Sequence, residues 1–192
     1  MAGLLRHYRQ ALDGVPGARR RLEPQVFPAP LTRWSGFAWE ALADTADAVG
    51  VKLYTMHWPM IARYWARDLL GTAEGPQADA VTQALHAFMD FGAEDLPAEA
   101  LRYPPPDTPH PVSEQAQAAK LRQAWGDAGA CPVTAYVHSY GPADDVRRRF
   151  ELTARAMAAS PGGRRLWINR YGYLSDEKIR LIGDAVRSLS AA

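Results

Sequence analysis

The chain has a single cysteine, Cys131, in 192 residues, so no internal disulfide can form and a reducing compartment is the default. No apolar run approaches the ~20 residues a membrane-spanning helix needs. The opening segment MAGLLRHYRQALDG breaks its apolar residues with Arg6, His7 and Arg9 and does not read as a secretory signal. An excess of one charge is also lacking. Against 22 Lys and Arg stand 21 Asp and Glu, a net charge of +1, which gives no electrostatic footprint for nucleic acid or an anionic membrane. The one dense basic run, Arg19 to Arg21, reads as solvated. With neither internal repeats nor low-complexity tracts, the expectation is a soluble, cytoplasmic, single-domain protein without nucleic-acid or membrane partners.

Metal and nucleophile chemistry find little support. The five histidines, His7, His57, His86, His110 and His138, show no paired ligand spacing, and Cys131 has no CxxC partner. Cys131 and His138 sit at opposite ends of one expected strand, ~23 Å apart if extended. SPGGRR places its glycines before a strand rather than between strand and helix, which excludes a phosphate loop. The expectation is therefore no metal and no cofactor.

What the chain does have is six Trp and eight Tyr, several beside polar residues rather than inside aliphatic runs. Amphipathic spacing predicts helices at the amino terminus, over Ser35 to Val49, after Pro59, near Ala78 to Phe91, from Ser113 to about Trp125, after Gly141, and from Ser175 to the end. Strands are predicted at Leu22 to Phe27, Val51 to Trp58, Pro132 to Tyr140 and Leu166 to Tyr171. YPPPDTPHP, with five prolines in nine residues, is compatible only with an extended loop. Alternating strands and helices predict a parallel sheet with right-handed crossovers.

Strand alternation then separates two closures, an open doubly wound sheet and a segment of a (β/α)8 barrel. Val51, Leu53, Val133, Ala135, Val137, Leu166 and Ile168 suit a helix-covered face. That sends Lys52, Tyr54, Met56, Thr134, Tyr136, His138, Trp167, Asn169 and Tyr171 to the other. A sheet covered by helices on both faces is aliphatic on both, so the polar and aromatic face favours a barrel interior. The expected fold is α/β, a partial (β/α)8 (TIM) barrel of about four parallel strands.

Three segments, WSGFAWEALADTADAVGVKLYTMHWPM, AYVHSYGPADD and LWINRYGYLSDEK, resemble the later strands of glycoside-hydrolase-like TIM-barrel proteins, a largely uncharacterised family. The resemblance runs from about Leu22 onward and rests on no single diagnostic motif. It implies eight strands in ~250 residues, of which this chain supplies four, as in a carboxy-terminal half. It also implies a carbohydrate ligand at the strand ends. Lys52, Tyr54, His138, Tyr140, Asn169 and Tyr171 would supply hydrogen bonds, and Trp58 or Tyr173 a stacking face.

Glycosidic cleavage needs a carboxyl pair across the bond, about 5 to 5.5 Å apart for retention or roughly 6.5 to 9.5 Å for inversion, and no inward strand end carries Asp or Glu. Asp144, Asp145, Asp176 and Glu177 suit helix amino termini. Glu40, Asp44 and Asp47 fall on the polar face of a helix, Glu23 lies at the wrong strand end, and Asp107 sits in a rigid proline loop. The expected function is carbohydrate binding without the catalytic pair. The alternatives are a non-catalytic interaction module and a half-barrel subunit, since open sheet edges invite a second copy or a missing amino-terminal half.

Overall fold

Four short segments pair side by side in chain order, all parallel. The structure, a computed structural model, describes residues 1–72, 74–92, 96–160 and 165–190; the glycine-rich stretch at 161–164 lies outside them. The strands are β1 (Gln25–Val26), β2 (Val49–Lys52), β3 (Val133–His138) and β4 (Leu166–Asn169). The α-helices are α1 (Ala2–Asp13), α2 (Leu31–Trp34), α3 (Leu42–Thr45), α4 (Trp58–Leu70), α5 (Pro76–Met89), α6 (Glu114–Ala128), α7 (Ala143–Ala158) and α8 (Asp176–Ser190).

Sequential parallel strands joined by right-handed crossovers put every crossover on the same side of the sheet. An open doubly wound sheet reverses its strand order midway, and this one does not. Val49, Val51 and Leu53, with Val133, Ala135, Val137, Leu166 and Ile168, accordingly share one apolar core with Leu121 of α6, Val146, Phe150 and Met157 of α7, and Ile182 of α8. The fold is α/β, a four-stranded portion of a (β/α) barrel with its helices on the outer face.

Register places the opposite face row by row. Lys52 stands beside Tyr136 and Tyr136 beside Trp167, while Gly50 stands beside Thr134 and His138 beside Asn169. Tyr136 and Trp167 stack at 5.6 Å. Gly50 is what lets the Tyr136 ring lie flat there, because a Cβ at position 50 would sit 2.4 Å from its Cε2. The Tyr136 hydroxyl donates to Glu23 Oε1 at 3.1 Å.

Element boundaries differ from the sequence expectation where a side chain takes over the backbone. The first strand narrows to two residues because Pro24 has no N–H, though its carbonyl accepts from Gly50 N at 2.8 Å. The second ends early: after Leu53 the chain turns, His57 N donates to Tyr54 O at 2.8 Å, and Trp58 already opens α4 with Pro59 in its first turn. The single helix expected over Ser35 to Val49 is instead a 3₁₀ turn, Trp39–Ala41, followed by α3. Asp47 explains the break. Its carboxylate accepts from Leu22 N at 2.8 Å and from Arg9 at 3.2 Å and meets Arg19, while its own N–H pairs with Leu22 O. Those bonds, the one from Leu22 N foremost, hold its carboxyl below the usual carboxylate range. Asp47 is thus an anchor rather than part of a solvated helix face.

Ser113 caps α6 as expected, its hydroxyl accepting from Ala116 N at 3.1 Å. No described helix is long and apolar enough to cross a membrane.

Candidate functional site

The carboxyl ends of β2, β3 and β4 converge with the proline loop, and what they bring together is mostly aromatic. Tyr54, Met56, Tyr136 and Tyr140 form a second buried cluster, separate from the main core. Tyr140 donates its hydroxyl to Pro104 O at 2.7 Å, which draws the loop over the strand ends. Tyr103 lies 5.2 Å and Tyr173 4.8 Å from the Tyr140 ring.

Beneath them lies a polar chain whose proton positions follow from its acceptors. His138 Nδ1 is 3.0 Å from Tyr140 O; a carbonyl only accepts, so Nδ1 carries the proton. His138 Nε2 is then bare and takes the Thr55 hydroxyl proton at 3.1 Å. The same hydroxyl must accept from His110 Nδ1 at 2.8 Å. His110 Nε2 remains bare, buried and without a hydrogen-bond partner, near the backbone of Gly141. The His110 and His138 rings stack at 4.7 Å. Both titrate low because burial disfavours the imidazolium: His110 falls to about 4, Arg149 adding to the effect, and His138 goes well below its ordinary value.

Arg149 anchors this floor. It donates to Asp145 Oδ2 at 2.9 Å, Gln117 Oε1 at 3.1 Å, Val112 O at 2.7 Å and His110 O at 3.3 Å. Both Arg149 and Asp145 are buried. Asp145, the carboxylate beside the histidines, is therefore committed to ion pairing, its other oxygen accepting from Arg148. Asp107 is exposed on the proline loop.

At the rim, the β4 end bends sharply. Arg170 adopts a left-handed backbone, φ +69°, which few non-glycine residues do. Asn169 Oδ1 accepts from Arg170 N at 2.6 Å, and the Asn169 amide donates to the Tyr54 hydroxyl. Ser139 Oγ lies 2.6 Å from Arg170 O and 3.0 Å from Asn169 O, and Lys178 Nζ donates to Ser139 O and Tyr173 O at 2.8 and 2.9 Å. Desolvation there lowers the Lys178 ammonium pKa. Arg170 Nη2 donates to His57 Nε2 at 2.7 Å. Burial, then the charges of Arg170 and Lys52, keep His57 neutral.

Of the residues the sequence singles out, Tyr54, His138, Tyr140, Asn169 and Tyr173 meet at this mouth. Lys52 lies on the same sheet face with Nζ 5.5 Å from the Phe27 ring centre. Tyr171 is 86% exposed, because the strand ends at Asn169 and a 3₁₀ turn over Tyr171–Tyr173 carries it outward. Trp58 lies elsewhere: it is fully buried and stacks on Phe91 at 4.9 Å in the main core, since the turn before α4 swings it to the helix side.

His57, Thr55, Tyr103, His110 and Arg170 join this mouth without having been expected as ligand contacts, and Trp167, placed on this face by alternation, was not expected as one either. The histidines were not legible in that way, since they lie on three segments with no common spacing. Among the described residues no group of three or more His, Cys, Asp or Glu could hold a metal ion. His110, His138 and Asp145 form a buried floor whose hydrogen bonds are internal, and the rings and donors of the rim lie above it; no carboxyl pair of the kind glycosidic cleavage needs is placed there among the described residues. No family model, curated protein or solved structure matches the chain.

Proposed function

We propose that the chain is a carbohydrate-binding half-barrel, similar to the glycoside-hydrolase-like TIM barrels but without their catalytic carboxyl pair. One observation carries the reading. At the β4 edge of this sheet face and its rim, Trp167 is 61%, Tyr171 86% and Tyr173 42% exposed, with Asn169 and Arg170 between them. Solvent-facing rings interleaved with amide and guanidinium donors suit a flat, hydroxylated ligand better than they suit a core.

Calorimetric titration with a panel of oligosaccharides tests it. Trp167→Ala and Tyr171→Ala are expected to weaken binding at least tenfold, about 1.4 kcal/mol, while changing stability little, as exposed positions do. No hydrolysis of aryl glycosides is expected. Absence of any saccharide binding, or clear turnover, defeats the reading.

A second reading, assembly, is favoured by a different observation. A groove of about 410 Å³ between α7, α8 and β4 is lined by Phe150, Ala154, Leu166, Ile168, Ile182 and Val186. The flanking Ile179 and Val186 of α8 are 50% and 47% exposed. The outer edge of β4 carries no further strand among the described residues, and such edges invite pairing. In this reading the half-barrel pairs with a second copy. Sedimentation velocity is expected to show a concentration-dependent dimer that Val186→Glu weakens; a monomer at every concentration counts against it.

A further inference from the structure

The mouth holds positive charge that no carboxylate among the described residues answers. Among the described residues neither Arg170 nor Lys52 forms a salt bridge, although most other arginines on the surface do. The partner of Arg170 is instead a neutral imidazole, His57 Nε2 at 2.7 Å, which takes one of the five guanidinium N–H groups and leaves the others for a ligand. Lys52 stands on the same face, its ammonium near Phe27. Both charges reach far enough into the mouth to depress the titration of His57.

The backbone beneath Arg170 is held in place for this presentation. Glycine would adopt φ +69° without strain. Here an arginine is kept in that conformation by the Asn169 side chain on its N–H, by Ser139 on its carbonyl, and by Lys178, which ties the β3 and β4 ends together. Left-handed non-glycine residues held by this many bonds concentrate at ligand clamps. The imidazole that receives the guanidinium is itself flanked by rings: Tyr54 and Tyr103 each lie 5.8 Å from His57. A guanidinium seated on a ring-flanked imidazole, with no carboxylate partner among the described residues, suits a ligand that brings the anion itself, and its fork shape matches carboxylate or phosphate oxygens.

We propose that the ligand is an acidic sugar, a ring bearing a carboxylate or a phosphate, whose anionic group docks on Arg170 with Lys52 alongside. This rests on the carbohydrate-binding reading and sharpens it.

The test is calorimetric titration of the whole chain with D-glucuronate, D-glucose 6-phosphate, D-glucose and inorganic phosphate, at low and high salt. The variants are Arg170→Asn, which tolerates the left-handed backbone, and Lys52→Met. At least one charged sugar is expected to bind tenfold or more tighter than glucose and than inorganic phosphate. That affinity should fall at least tenfold in Arg170→Asn, less in Lys52→Met, and steadily with added salt. Preference between glucuronate and glucose 6-phosphate identifies the anionic group. Glucose binding as tightly as both charged sugars, unaffected by Arg170→Asn, overturns the acidic-sugar inference while leaving carbohydrate binding intact. Inorganic phosphate binding as tightly as glucose 6-phosphate, with no affinity for glucuronate, overturns it as well. Failure of every saccharide, here and in the oligosaccharide panel, overturns both.

Discussion

Replacing Arg149 by Met is expected to destabilise the protein by about 3–5 kcal/mol, a large share of the roughly 5–15 kcal/mol that holds a domain of this kind folded. The side chain is buried and donates to four acceptors on three segments. Removing it leaves the Asp145 carboxylate buried with only the part-exposed Arg148 as partner, and it orphans the carbonyls of His110 and Val112, each an unsatisfied acceptor. Because those carbonyls end the proline loop, the loop is expected to become the first site of proteolysis. Urea denaturation measures the loss. Lysine at 149 should recover only part of it, since one ammonium cannot reach four acceptors spread around a planar fork. The double variant Arg149→Met with Asp145→Leu should be more stable than Arg149→Met alone, because no unpaired charge is then left inside. A near-neutral Arg149→Met would mean that the pair contributes nothing to the floor of the site.

Acidification should destabilise the fold well before its carboxylates titrate. His57, His110 and His138 all have folded-state values below the ordinary 6.5, His110 at about 4. In the window between those values the unfolded chain binds protons that the folded chain refuses, so stability is fully present above about pH 6.5 and is lost as the pH falls toward 4. At about 1.36 kcal/mol per unit, His110 alone accounts for on the order of 3 kcal/mol. The depressed Asp47 acts in a separate window, below its ordinary 3.8. Urea midpoints taken from neutral pH down to about pH 4.5 should fall progressively. His110→Asn, which keeps a donor where Nδ1 stood, should flatten the curve. Midpoints that do not move over this range would show that the imidazoles are solvated or charged in the folded protein.

The acid sensitivity and the Arg149 effect have one origin. The proline loop closes a floor in which His110, Thr55 and His138 pass a hydrogen bond from one to the next, and water cannot reach the bare His110 nitrogen to stabilise a proton there. The rim, where Tyr54, Asn169 and Arg170 are joined by hydrogen bonds through Asn169, adjoins this floor.

By itself the sequence determined the fold class and the two faces of the sheet. Alternation along Val133–His138 and Leu166–Asn169 has a period of two whatever the neighbours are, so Tyr136, His138, Trp167 and Asn169 were legible as one face before any strand was paired. Local capping chemistry likewise marked Ser113 at the start of α6. Tertiary structure decided the rest. Trp58 reads as a rim residue if the strand runs on, but the turn at His57 places it in the core. Tyr171 reads as inward until Arg170 takes a left-handed backbone and turns it out. The union of His57, His110 and His138 has no sequence period, because it depends on Tyr140 and Arg149 drawing the proline loop across the strand ends. Period and capping are properties of a few consecutive residues. Where a loop lands is set by bonds between residues tens of positions apart, and those exist only once the chain has folded.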